Sequence, residues 1–157
     1  KTLHDCTQLP ITGIRPLMAQ YSIPKLSDAT AKHTRWQSII HQASCQSRRQ
    51  YLPQLHHPEA LLTSLNTIAQ AATDDDAILV CDECETDRIL GDCCDPTYKR
   101  LLVVIGPEGG FSPEERHAYS QLPAVYPVSI GPTILKAPQA AFYALSVLSH
   151  CYANLYR

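Results

Sequence analysis

The sequence has no run of about 18 or more apolar residues, which excludes a conventional membrane-spanning helix. It also lacks a basic surplus: 13 Lys and Arg stand against 15 Asp and Glu, for a formal net charge of −2. A stand-alone nucleic-acid binder draws much of its affinity from neutralised phosphates, so this balance argues against one. There is no internal repeat and no low-complexity tract. No signal-peptide pattern is visible, and the opening KTLHDCTQLP, which starts at Lys1, reads like the interior of a protein. The chain is therefore expected to be a fragment of a longer one, forming a single domain over residues 1–157.

Seven cysteines are present, an odd number at scattered spacing, which argues against a disulfide framework. Cys81-x-x-Cys84 followed by Cys93-Cys94 invites a zinc reading. Adjacent cysteines point apart on most backbones, however, and a second knuckle is absent. Free thiols are expected, and no metal.

What is present is an ordinary globular composition, 45% hydrophobic and 18% charged. Ile11–Met18 is a short strand candidate interrupted by Pro16. Thr30–Arg49 reads as a helix, with Trp36, Ile39, Ile40 and Ala43 on one face and Pro53 closing it. Pro58–Ala72 reads as a second, with Leu61, Leu62, Leu65, Ile68 and Ala69 on one face. Ala77–Cys81 and Leu101–Ile105 are apolar on both faces, as buried parallel strands are. Tyr126–Ile130 is a third strand, with Pro127 suited to an edge or a strand start. Asp82–Lys99 reads as a loop or short hairpin. The last helix is expected from about Pro138 to Tyr156, with Ala141, Leu145, Leu148, Tyr152 and Leu155 as its apolar stripe. Alternating strands and helices of this kind give an α/β fold, a mostly parallel sheet flanked by helices.

The informative stretch is LLVVIGPEGGFSPEE, Leu101 to Glu115. A buried strand ends at Ile105, Gly106-Pro107-Glu108-Gly109-Gly110 makes a tight turn, and Ser112, Pro113 and Glu115 form a capping box with proline at the first helical position. Glycines there permit positive φ and leave the backbone bare to a ligand. Ligands of parallel sheets bind beyond the carboxyl ends of the strands, where this loop lies. It is neither a P-loop nor a dinucleotide fingerprint. A plain βα turn is the bland alternative. A second glycine turn, SIGPTILK from Ser129 to Lys136, leads into the last helix, and Cys81-Asp82-Glu83 follows the first buried strand. Three such loops can wall one pocket. Basic clusters at Lys32–Arg35, Arg48–Arg49 and Lys99–Arg100 read as solvated surface unless a site recruits them. His56-His57 reads as loop surface.

IGPEGGFSPEE followed by SIGPTILKAPQAAFYAL resembles the RsmE family of 16S ribosomal RNA (uracil-N3)-methyltransferases of the SPOUT superfamily. Lys32–Trp36, Gln46–Arg49 and Pro53 match that family in order, so the resemblance spans nearly the whole chain. It implies a C-terminal trefoil knot, S-adenosylmethionine as cofactor, small-subunit ribosomal RNA as substrate, a cytoplasmic homodimer and an upstream RNA-binding domain. It implies a cofactor site made by Cys81, Gly106, Glu108, Gly110, Ile130, Gly131 and Leu135, largely through backbone groups, with a side chain at Gly110 expected to collide with the ligand. The chain departs from the family at Lys136-Ala137-Pro138-Gln139-Ala140, where R-T-E-T-A is usual, and at Gln20-Tyr21, where the family has E-R. Lys136 keeps the charge without the planar fork of Arg. Lys136 and Arg48, with Arg49 beside it, are the catalytic candidates, as cations that offset a deprotonated uracil or grip phosphate. Three other readings stay open: a catalytically degenerate SPOUT domain that only binds cofactor or RNA, a small nucleotide or phosphate binder, and a zinc module.

Overall fold

A computed structural model describes residues 1–23, 25–95 and 97–153. Its centre is a three-stranded parallel sheet of β5 (Asp76–Cys81), β6 (Arg100–Ile105) and β7 (Val125–Val128), in the order β6-β5-β7. The central strand is the most apolar: from Ala77 to Cys81 every residue is buried. Period-two alternation sends Ile78 and Val80 to one face, against α4 (Leu61–Gln70) and α5 (Pro113–Ser120). Ala77, Leu79 and Cys81 go to the other, against α6 (Ala137–Cys151). Pro127 sits on β7, an edge strand among the described residues, where a missing N–H costs no ladder bond on the open side.

The amino-terminal third is built differently. α1 (Thr2–Thr7), which hydrophobic periodicity did not anticipate, packs against α3 (His33–Gln46) and α6. The Ile11–Met18 strand is split, as Pro16 requires, into β1 (Gly13–Ile14) and β2 (Leu17–Met18). These pair in parallel with β3 (Gln54–Leu55) and β4 (Glu59–Ala60). The expected Pro58–Ala72 helix therefore starts only at Leu61, because β2 recruits the residues before it. The expected Thr30–Arg49 helix is interrupted at Lys32, giving α2 (Leu26–Ala31) and α3. It stops at Gln46 rather than at Arg49. Arg48 turns left-handed (φ 54°), and the Arg49 N–H closes onto the Ser44 carbonyl at 3.0 Å.

Two further differences concern α6 and the cysteines. The residues α6 buries are Ala140, Ala144, Leu148 and Tyr152, while Ala141 and Leu145 of the expected stripe are half-buried; Leu155 lies outside the described residues. The half-buried pair lines a groove of about 1060 Å³. Ile11, Ile14 and Leu17 line that groove together with Leu101, Val103 and Ile105 of β6 and Trp36 and Ile39 of α3. Cys94 and Cys151 form a disulfide, against the expectation of free thiols throughout. The last turn of α6 runs back beside the loop that follows β5, an encounter created by tertiary packing and invisible in spacing. The Tyr152 hydroxyl donates to the Asp95 carbonyl at 2.5 Å in the same place.

Candidate functional site

All three central strands run the same way and end level: Cys81 is in register with Ile105 on one side and with Val128 on the other. The three expected loops therefore leave from one edge of the sheet. They are also tied together. Asp82 N–H donates to Val128 C=O (3.1 Å), Leu90 N–H to Ser129 C=O (2.9 Å) and Ser129 N–H to Arg88 C=O (2.8 Å). Leu90 opens a 3₁₀ turn (Leu90–Cys93) in the long loop after β5, which forms no hairpin among its described residues.

The glycine turn is rigid at its far end. The Ser112 hydroxyl accepts from Glu115 N–H (3.2 Å) and the Glu115 carboxylate accepts from Ser112 N–H (3.0 Å), the capping box expected, with Pro113 at the first helical position. The second Glu115 oxygen accepts from Gln20 N–H at 2.8 Å, so the turn at residues 19–22 is fastened to the same carboxylate. Phe111 packs its ring against Gly106, where an added Cβ would meet it at 3.1 Å. Gly110 is buried at φ +69°, and the space a side chain would need there is filled by the Glu83 carboxylate. The collision expected at Gly110 is thus first with the protein's own Glu83.

Backbone groups of the kind a ligand would use are free here. Among the described residues, the C=O of Gly106 and the N–H and C=O of Ile130 and Leu135 have no hydrogen-bond partner. Since backbone polar groups left half-buried are normally paired, such a cluster at the carboxyl edge of a parallel sheet fits an incoming polar ligand. Gly131 takes φ +135° with open space around it. Glu108 is exposed. Cys81 contributes no accessible thiol: its side chain is in the core, and burial pushes it up to about 12.

Beneath these loops lies a charged cluster that pattern reading missed. Arg116 donates through Nε to both Asp82 oxygens (2.9 and 3.1 Å) and through Nη2 to Glu83 (2.8 Å). The Tyr119 hydroxyl also donates to Asp82. Burial pushes the Asp82 carboxyl up, but its bonds to Arg116, Tyr119 and the Cys84 N–H outweigh this and hold it below the usual carboxylate range. Asp82, Glu83 and Cys84 lie close enough to suggest a cation site, but Arg116 already takes both carboxylates.

A family model described as an RNA methyltransferase domain matches residues 1–149. The chain belongs to that family. It is 32% identical over 114 residues to the ribosomal RNA small subunit methyltransferase E of Mycobacterium bovis, covering 73% of this chain and 43% of the relative. It is 30% identical over 149 residues to the enzyme of the same name from Synechocystis, covering 94% and 47%. The chain thus spans less than half the length of these relatives. A putative methyltransferase from Legionella pneumophila, solved in complex with bound cofactor SAM, superposes with a TM-score of 0.79 at 27% identity, covering 95% of this chain and 59% of that one.

In this methyltransferase domain the remaining candidates fall apart spatially. Lys136 is exposed at the N-cap of α6, directly after Leu135, and forms no ion pair among the described residues. Leu135 lines a groove with Pro138, Gln139 and Phe142 of α6 and Lys1 and Asp5 at the start of α1. Arg48 is exposed beyond α3, whose last turn meets α1 through Gln46 and His4 (3.1 Å). Arg49 is a structural strap: its guanidinium donates to the carbonyls of Thr7, Leu9 and Ile11. Lys99 and Arg100 pair with Asp75 and Asp76. His56 Nδ1 accepts from the Arg15 guanidinium at 3.1 Å, and His57, exposed in the same loop, stacks on His33.

Proposed function

We propose that the chain is the SPOUT catalytic domain of a longer protein, knotted at its carboxyl end. In this reading it transfers a methyl group from S-adenosylmethionine to N3 of a uridine in small-subunit ribosomal RNA. The observation that carries this reading is the level edge at Cys81, Ile105 and Val128, from which the loops after β6 and β7 present free backbone groups of Gly106, Ile130 and Leu135. Those groups, with Gly110, Gly131 and the carboxylate of Glu108, hold the cofactor. The names of the relatives and the SAM-bound neighbour support it.

When bound, S-adenosylmethionine supplies an already activated methyl group. The chain's task is to orient the uracil ring and stabilise its anion. N3 must lose its proton before it attacks, leaving negative charge on the ring. Lys136, free and exposed next to the cofactor loop, supplies the compensating cation; Arg48 is the second candidate, for phosphate.

The homodimer also belongs to this reading. Ile134, Phe142 and Tyr143 are all exposed (86, 43 and 47%) around the start of α6. An apolar surface of that kind beside the cofactor loop fits a second copy. The domain acts in the cytoplasm; no described helix is long and apolar enough to cross a membrane.

Calorimetric titration with S-adenosylmethionine, followed by radiolabelled methyl transfer to small-subunit RNA, tests the assignment. N3-methyluridine cannot form its Watson–Crick pair, so reverse transcription should stop at the modified base. Binding without transfer would favour the binding-module alternative, and no binding would overturn the cofactor site.

A further inference from the structure

Tyr21 lies directly on the glycine turn. A Cβ built on Gly109 would stand 3.0 Å from the Tyr21 Cβ and 3.7 Å from its Cγ, so the glycine admits the tyrosine. The residue is nevertheless 46% exposed. Its backbone is held firmly: Ala19 N–H donates to Ser22 Oγ and Ser22 N–H to Ala19 C=O, both at 3.0 Å. The neighbouring Gln20 N–H reaches the buried Glu115 carboxylate that also caps α5. The tyrosine hydroxyl has no hydrogen-bond partner among the described residues. This half-exposed aromatic residue is thus fixed, through its neighbour's bond to a buried carboxylate, to the turn of the cofactor site.

We propose that Tyr21 is a stacking platform for an unpaired base of the RNA substrate, beside the methyl-transfer site. This rests on the methyltransferase reading above and names a residue that recognises its substrate. The charge around the ring selects a base over a phosphate. Glu108 is exposed next to Gly109, Glu83 lies behind Gly110, and the chain is net negative. Every base has a π-face, and stacking holds a single strand without neutralising its backbone. Ile23, two residues on, is 87% exposed and adds apolar surface to the same segment.

The test uses a single-stranded, uridine-rich RNA of about ten nucleotides carrying one 2-aminopurine, whose fluorescence is quenched by stacking. Wild type and Tyr21→Phe should quench it and bind within about threefold of each other. Tyr21→Leu and Tyr21→Ala should bind about 5- to 100-fold more weakly and lose the quench. That ratio should hold as salt is raised, because no ion pair is lost. S-adenosylmethionine affinity, measured calorimetrically, should be equal in all four proteins. Wild-type quenching and affinity in Tyr21→Leu or Tyr21→Ala would overturn the proposal. So would a wild type that binds S-adenosylmethionine yet leaves the probe unquenched, an outcome that keeps the cofactor reading intact. Failure of the wild type to bind S-adenosylmethionine would instead strike the methyltransferase reading, and the quench would still decide whether Tyr21 stacks a base.

Discussion

The carboxylate of Glu83 occupies the space that a side chain on Gly110 would need. Gly110 also sits at φ +69°, where an L-residue costs about 1–2 kcal/mol. Gly110→Ala should therefore lower stability and weaken S-adenosylmethionine binding by at least about tenfold. Adding Glu83→Ala should restore part of both, since it removes the steric component and leaves the backbone strain. A double-mutant cycle by calorimetry and thermal melting measures that coupling. Strict additivity would mean that the two residues do not compete for the same space.

The Asp82–Arg116 pair is well buried on the acid side, with 5% of the Asp82 side chain and 26% of the Arg116 side chain exposed. Arg116→Met should cost about 3–5 kcal/mol by leaving the carboxylate without its cation. The folded Asp82 carboxyl is depressed, so its contribution is present above the unfolded value near pH 4 and is lost as pH falls through the folded value. Urea unfolding from about pH 7 down to pH 2 should show this acid loss in the wild type and a shallower one in Asp82→Asn. Parallel acid limbs would remove Asp82 from the account.

Lys136→Ala should leave cofactor affinity nearly unchanged and lower methyl transfer to small-subunit RNA by one or more orders of magnitude. Lys136→Arg should keep or raise activity, because the planar fork adds a second donor. An alanine variant as active as the wild type would exclude Lys136 from the chemistry.

Reducing the Cys94–Cys151 disulfide should destabilise the domain by about 2–4 kcal/mol, since its partners are 57 residues apart. Cys94→Ser should show the same loss and no further response to dithiothreitol. A wild type indifferent to reductant would show that the bridge is absent in solution.

Sedimentation at micromolar concentration should give about twice the 17.4 kDa chain mass. Phe142→Asp should shift it toward the monomer, because the charge falls within the exposed apolar surface at the start of α6. A monomeric wild type would remove the dimer from the proposed function.

Sheet strands and cofactor loops were legible because their signals are local. AILVC and LLVVI read as strands, though only AILVC is buried throughout while LLVVI, on an edge among the described residues, buries Val104 alone, and Ser112, Pro113 and Glu115 specify a helix start within four residues. α1 was missed because a helix of six residues shows too little periodicity and is stabilised by α3 and α6. The extent of Thr30–Arg49 was misjudged because a left-handed Arg48 is a rarer stop than the proline downstream. Arg49 looked available for phosphate because its three carbonyl partners lie some 40 residues away, at Thr7, Leu9 and Ile11. The Cys94–Cys151 bridge and the Asp82–Arg116–Tyr119 cluster were hidden for the same reason: contacts between distant segments leave no periodic trace.

Every strand pairing among the described residues is parallel. No hairpin can nucleate the sheet. Gly13 must wait for Gln54, Leu17 for Glu59, and Ile78 for both Leu102 and Val125. Each ladder begins only after dozens of residues have been drawn into a loop, whose entropy is lost before the first hydrogen bond forms. The domain should therefore refold slowly for its size, on the timescale of high-contact-order proteins. During that wait AILVC and LLVVI are exposed to one another across molecules, so dilute protein should refold in higher yield than concentrated protein.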